Sequence, residues 1–273
     1  MEADLVVEVV AAPADADLAA DEMWQAGATA VGLRDDGAVT VVTASFPTPG
    51  AARQVAGELA GRGARLVEVD PAWRHTWREF AQPVAVGEGL VVAPAWRDVA
   101  VGTGRTVLRI DPGDCFGSGS HPSTRLVLTA LDRRPPAAGD AVVDLGCGSG
   151  ILAVAAARLG AGRVTAVDID PAAVAVTAAN AAANGVAGRV AASTTPAGDL
   201  TGQYAVALVN VTAAVHAVLG PDAVRLVPPG GRIVVAGLLP GQWRHVAGAY
   251  AGVAAVSPLE LDGWEGAELT VAG

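Results

Sequence analysis

One stretch limits the fold of this chain more than any other: Val142-Val143-Asp144-Leu145-Gly146-Cys147-Gly148-Ser149-Gly150. A short apolar run carrying an acid passes straight into glycines at 146, 148 and 150, and Ile151 to Leu159 then reads as a helix. A strand that becomes a helix across a few glycines is the first half of a βαβ unit, whose strands lie parallel. The pattern continues on both sides of it. Strands are expected at Ala141 to Leu145, Val164 to Asp168, Arg189 to Ala192, Ala205 to Val209, Arg232 to Ala236 and Leu269 to Val271. A helix from Pro171 to Ala183 has proline at its first turn, where the missing N–H costs nothing. The expected class is α/β, a Rossmann-like doubly wound sheet with ligands at the carboxyl ends of its strands.

Three groups of residues carry chemistry, two of them at those strand ends and one upstream. A dinucleotide fingerprint needs its third glycine at 151, where this chain has Ile151. G-x-G-x-G after an acid-bearing strand instead fits a loop under the amino-acid half and ribose of S-adenosylmethionine. There Gly146 and Gly148 let the backbone approach, and the helix start offers N–H donors to a carboxylate. Asp168, 22 residues after Gly146, closes the next strand, where a carboxylate can accept both ribose hydroxyls. Upstream, the Gly/Ser-rich run Asp111 to Thr124 ends where Pro122 and Ser123 open a helix. It reads as a flexible lid, with Phe116 or Thr124 touching the methionine end; the plain alternative is an interdomain loop with a cap. The third group is Val209-Asn210-Val211-Thr212, at the end of the sheet domain's fourth strand. An Asn amide oxygen there could orient an attacking amine, although an Asn at a strand end is also a common helix cap.

The remainder of the chain organises around this domain at 111–273. Residues 1–69 read as β-α-β-β-α-β, a small ferredoxin-like α+β unit, with a hairpin across Arg34-Asp35-Asp36-Gly37. Residues 70–110 read as a tryptophan-rich linker holding Trp73, Trp77 and Trp96; Trp73, Trp77 and Phe80 fall on one helical face. The chain has 18 basic residues, every one of them arginine, against 28 acidic ones, a net charge of −10 without a basic stripe. That excludes the usual footprint of a nucleic-acid binder and suits a basic partner. Cys115 and Cys147 are too few for a disulfide scaffold, and the four histidines lack the spacing of a metal site. No apolar run reaches the length of a membrane span, and the start lacks the features of a signal peptide, so a cytoplasmic enzyme is expected. G-x-S-x-G, the hydrolase elbow, is missing.

The sequence resembles the class I S-adenosylmethionine-dependent methyltransferases, and among them the bacterial ribosomal protein L11 methyltransferase (PrmA) family. The likeness rests on D-P-G-x-x-F-G-[ST]-G-[ST]-H-P-[ST]-T at Asp111 to Thr124, D-x-G-C-G-S-G-I-L-A at Asp144 to Ala153, and D-I-D-P at Asp168 to Pro171. The Pro228-Pro229-Gly230-Gly231 turn and Trp264 also match, whereas Asn210-Val211-Thr212-Ala213 stands where the family usually has N-[IV]-L-A. The resemblance implies cofactor contacts at Thr124, Gly146, Asp168 and Asn210. It further implies N-methylation of lysine side chains and the N-terminal amine of a large-subunit ribosomal protein, recognised by the N-terminal domain. Alternatives are N-methylation of another protein or a small amine, a cofactor-binding module without turnover, and a nicotinamide oxidoreductase, against which Ile151 argues.

Overall fold

The computed structural model describes residues 4–28, 30–46, 48–69, 81–97, 99, 104–113 and 115–273. The chain forms two compact units, Met1–Ala81 and Gln82–Gly273. Trp73, Trp77 and Phe80, the expected aromatic stripe, lie outside the described residues.

In the first unit β1 (Asp4–Ala11), α1 (Ala16–Gln25), β2 (Ala30–Asp35), β3 (Thr40–Ser45), α2 (Pro49–Glu58) and β4 (Arg65–Val69) follow one another. The sheet is antiparallel in the order β2-β3-β1-β4, the ferredoxin-like arrangement that the element order predicts. Alternation puts Val7 and Val9 of β1, with Val42 and Ala44 of β3, on the face that packs against Ala19, Ala20, Met23, Ala52 and Val55 of the helices. The β2–β3 turn closes at Gly37, whose N–H donates to Asp35 Oδ1 at 2.8 Å. Thr48 caps α2 by accepting from the Ala51 N–H at 3.1 Å, ahead of Pro49 at the first helical position.

The second unit starts before the sequence reading places it. Within the stretch expected to be linker, β5 (Val84–Val86), β6 (Leu90–Pro94) and β7 (Thr106–Ile110) form a three-stranded sheet in which β6 is buried throughout. Gly and Pro around these short strands hide them in the sequence. Next come α3 (Pro122–Arg133), β8 (Ala141–Leu145), α4 (Ile151–Arg158), β9 (Arg163–Val167), α5 (Pro171–Ala183), β10 (Val190–Ser193), β11 (Val206–Asn210), α6 (Ala213–Leu226), β12 (Arg232–Leu238), α7 (Trp243–Val246), β13 (Val253–Leu261) and β14 (Trp264–Val271).

The large sheet runs β10-β9-β8-β11-β12-β14-β13. Its first five strands are parallel, and the β13–β14 hairpin adds two antiparallel strands at one edge. The sequence reading has only Leu269 to Val271 here. It misses the hairpin because β13 is mostly exposed and lacks strict alternation, although Asp262-Gly263, both at positive φ, is a two-residue turn signal. Helices α3, α4 and α5 share one face of the sheet with the three-stranded sheet, in a core that includes Leu108, Leu128, Val154 and Leu208. On the other face α6 and Tyr250 pack against Leu145, Val209 and Ile233. After β8 the chain winds outward through β9 and β10, then returns to lay β11 on the opposite side of β8. The winding reverses between β8 and β11, and in such sheets the crevice at their carboxyl ends is the ligand site.

Candidate functional site

The glycine turn after β8 is held from two directions. Gly146 and Cys147 N–H groups donate to the Val167 carbonyl at the end of β9, at 2.9 and 3.1 Å. Gly148 N–H donates to Asp168 Oδ2 at 2.9 Å, and Asp170 N–H donates to Asp168 Oδ1 at 3.1 Å. Both carboxylate oxygens are therefore aimed by backbone donors, with lone pairs left for further partners. Asp170 in turn caps α5, accepting from Ala172 N–H at 2.8 Å. Glycine is required sterically at two of these positions. Gly146 has φ +77°, and a Cβ there would stand 2.7 Å from Val211 Cγ1; Gly148 has φ +52°, and its Cβ would stand 2.8 Å from the Phe116 carbonyl oxygen.

That carbonyl belongs to the Gly/Ser-rich run read from the sequence as a lid, which is hydrogen-bonded to the glycine turn. Phe116 O accepts from Ser149 N–H at 2.9 Å, and Gly117 O accepts from Ser149 Oγ at 2.7 Å. Asn180 on α5 accepts from Asp111 N–H at 2.9 Å, and its Nδ2 donates to Asp111 O at 2.9 Å and to Ser149 O at 2.8 Å. One amide thus fastens the start of the run to the glycine turn. At the other end His121 caps α3 with its ring, Nδ1 accepting from Ser123 N–H at 3.3 Å. The ring meets Phe116 and Trp264 edge-on, with centroids 5.1 and 4.5 Å apart. Burial among these aromatics pushes the His121 pKa down to about 4.

Asn210 is the last residue of β11, and its side chain does not cap the following helix, whose cap is Thr212. Its Nδ2 donates to Thr124 Oγ1, on the first turn of α3, at 3.3 Å. The oxygen is then left alone: Asn210 Oδ1 is shut off from solvent without a hydrogen-bond partner. Asp144 on β8 shows the same imbalance. It is fully buried; Oδ2 accepts from Ala153 N–H at 3.1 Å, while Oδ1 has no partner. Burial raises its pKa to about 7, the Ala153 N–H opposes the rise, and the Asp168 charge adds to it. Among the described residues only four buried side-chain polar atoms lack partners, the others being Ser45 Oγ and Arg125 Nε. Two of the four thus belong to strands that frame this crevice, and an unsatisfied acceptor is costly unless a ligand completes it.

All six residues singled out in the sequence meet here. Gly148 bonds Asp168 and abuts Phe116, Gly146 abuts Val211 beside Asn210, and Asn210 bonds Thr124. Sequence reasoning missed the residues behind them. Thr177, Asn180 and Asn184 are the polar residues of an otherwise alanine- and valine-rich stretch, at i, i+3 and i+7, one face of a helix. Thr177 Oγ1 donates to Gly148 O at 3.1 Å, and Asn184 accepts from Arg109 N–H at 2.8 Å while donating to Arg109 O at 2.7 Å. Among the described residues no cluster of His, Cys, Asp and Glu could hold a metal ion.

The sequence profile of the ribosomal protein L11 methyltransferase (PrmA) family matches residues 50–267. The chain belongs to this family. A ribosomal protein L11 methyltransferase of Geotalea uraniireducens is 40% identical over 191 residues, covering 66% of this chain and 61% of the relative. One of Trichlorobacter lovleyi is 37% identical over 219 residues, covering 74% and 72%. Among solved structures, a ribosomal protein L11 methylase from Lactobacillus delbrueckii subsp. bulgaricus has a TM-score of 0.64 at 26% identity, covering 71% of this chain and all of that one. The chain spans about three fifths of the length of the first curated PrmA relatives it matches.

Proposed function

We propose that this chain is an S-adenosylmethionine-dependent N-methyltransferase whose acceptor is ribosomal protein L11. The observation that carries the reading is the Asn210 amide, clamped through its nitrogen by Thr124 so that a buried oxygen is left without a donor in the crevice between β8 and β11. Membership of the PrmA family and the glycine turn beside Asp168 support it.

The residues present suit the methyl donor. Gly146 and Gly148 leave no room for a Cβ and keep the turn bare for the close approach of a ligand. Asp168, with each oxygen fixed by one N–H, would accept the ribose hydroxyls. Phe116 and Thr124 would border the methionine end. When bound, S-adenosylmethionine supplies a methyl group made electrophilic by its sulfonium charge. In-line displacement needs a neutral amine at about 3 Å from that carbon. Asn210 Oδ1 would accept an N–H from the amine and point its lone pair along the line of attack. A lysine amine has a pKa of about 10.4 in water, and desolvation beside a positive charge favours its neutral form. A strong base is then unnecessary, and neither His216 nor His121 is free to serve: His216 has both nitrogens engaged and His121 caps α3 between two rings. The proton leaves through water. The net charge of −10 suits a basic acceptor and argues against nucleic acid.

The test is radiolabelled methyl transfer from S-adenosylmethionine to purified ribosomal proteins, set beside a panel of other cellular proteins. Label in L11 alone is the expected result. Label confined to other proteins would overturn the acceptor, and cofactor binding without label in any acceptor would overturn the reaction.

A further inference from the structure

His216 and Tyr250 stand behind the crevice and take no part in the chemistry above. His216, in the first turn of α6, is fully buried. Its Nε2 lies 2.9 Å from the Ala236 carbonyl oxygen, and its Nδ1 lies 2.6 Å from the Tyr250 hydroxyl. A carbonyl only accepts, so Nε2 carries the hydrogen; Nδ1 is then a lone pair, and Tyr250 donates to it. The ring is fixed in one neutral tautomer, in keeping with a pKa pushed down by burial to about 4.

The Ala236 carbonyl has a second donor, the Val211 N–H, at 3.2 Å. Val211 follows Asn210 directly. Its own carbonyl lies against Gly237, at a bulge in β12, where φ is +92° and any Cβ would stand 2.3 Å from Val211 O, so only a bare backbone leaves it room. The peptide after Asn210 is therefore set by one carbonyl that it shares with an imidazole, and the imidazole is set by a phenol. Tyr250 is in turn stacked on Trp243, with ring centroids 5.9 Å apart.

We infer that His216 is a positioning residue for Asn210, locked by Tyr250 and acting through the Ala236 carbonyl on the Val211 peptide. This rests on the reading of Asn210 as the group that orients the acceptor. The Val211 N–H and the imidazole meet on one carbonyl, which holds the peptide after Asn210, and Thr124 holds the Asn210 amide through its nitrogen. Preorganisation of this kind acts on turnover and leaves affinity for a separately held donor unchanged.

The experiment compares His216→Leu, His216→Gln and Tyr250→Phe in the full chain. It measures kcat with ribosomal protein L11, S-adenosylhomocysteine affinity by calorimetry, and hydrogen exchange at the Val211 amide. His216→Leu is expected to lower kcat about ten-fold or more, the scale of one lost buried hydrogen bond, with affinity held within about two-fold and Val211 exchange faster. His216→Gln, whose amide N–H reaches the place of Nε2, is expected to restore most of the turnover. Tyr250→Phe, which keeps the packing, is expected to fall between, and it carries the test should His216→Leu fail to fold. Wild-type turnover in folded His216→Leu or in Tyr250→Phe overturns the inference. So does a matched fall in kcat and affinity that Gln does not rescue. Asn210→Ala serves as the reference: full turnover in that variant would sink the reading of Asn210, and Val211 exchange, measured without acceptor or donor, would still decide whether His216 sets the backbone.

Discussion

At the scale of single residues, Asn210 and Gly148 lend themselves to opposite experiments. Asn210→Ala removes the unpartnered oxygen and the donor to Thr124 together. Turnover should fall about 100-fold, as for the loss of one transition-state hydrogen bond, and far more than S-adenosylhomocysteine affinity measured by calorimetry. An equal fall in both would contradict the orienting role. Gly148→Ala should act on the other quantity. The added methyl meets the Phe116 carbonyl at 2.8 Å from a backbone already at positive φ. Strain of this kind costs roughly 1–3 kcal/mol, so both the melting temperature and cofactor affinity should drop. Both positions could be found in the sequence because each sits at a strand end in a recognisable spacing. The unpartnered oxygens could not: whether an amide or carboxylate is satisfied depends on Thr124 and Ala153, 86 and 9 residues away.

Among the elements, α5 shows what periodicity conveys and what it withholds. Pro171 and an unbroken apolar run make its ends plain, and the structure places it at Pro171–Ala183, as expected. Its role is less visible, because the partners of Thr177, Asn180 and Asn184 are backbone groups of β7 and of loops distant in sequence. Asn180→Ala would strand the Asp111 N–H, the Asp111 carbonyl and the Ser149 carbonyl at once. A loss of about 2–4 kcal/mol in urea unfolding is expected, since each buried group left unpaired costs about 1–3 kcal/mol and water re-enters part of the site. Hydrogen exchange should quicken across 111–118 more than elsewhere; uniform quickening would show that α5 only packs. The β5–β7 sheet went unread for a different reason. Its strands are three to five residues long and lie among glycines, prolines and tryptophans that read as a linker.

For the whole molecule, buried titrating groups set a pH profile of stability whose sign can be worked out. His121 and His216 have pKa values lowered by burial to about 4 from 6.5. Between those values the unfolded chain binds two more protons than the folded one, so stability is full above pH 6.5 and is lost as pH falls toward 4. Asp144, raised from 3.8 to about 7 chiefly by burial, works the other way: its contribution is full below 3.8 and is lost as pH rises through 7. Asp21, whose pKa burial also raises, works with Asp144, so two carboxyls oppose the two histidines in the acid range. Melting temperature should therefore decline as pH rises through 7, and Asp144→Asn should remove that decline; a curve that rises steadily past pH 8 would refute this account. The meeting of Phe116 with Gly148 reaches further than stability. Two stretches more than thirty residues apart share a single atomic margin, so a change tolerated in one depends on the spelling of the other. In a mutational library, or over a lineage, residues 115–119 and 146–150 should drift as one inherited word.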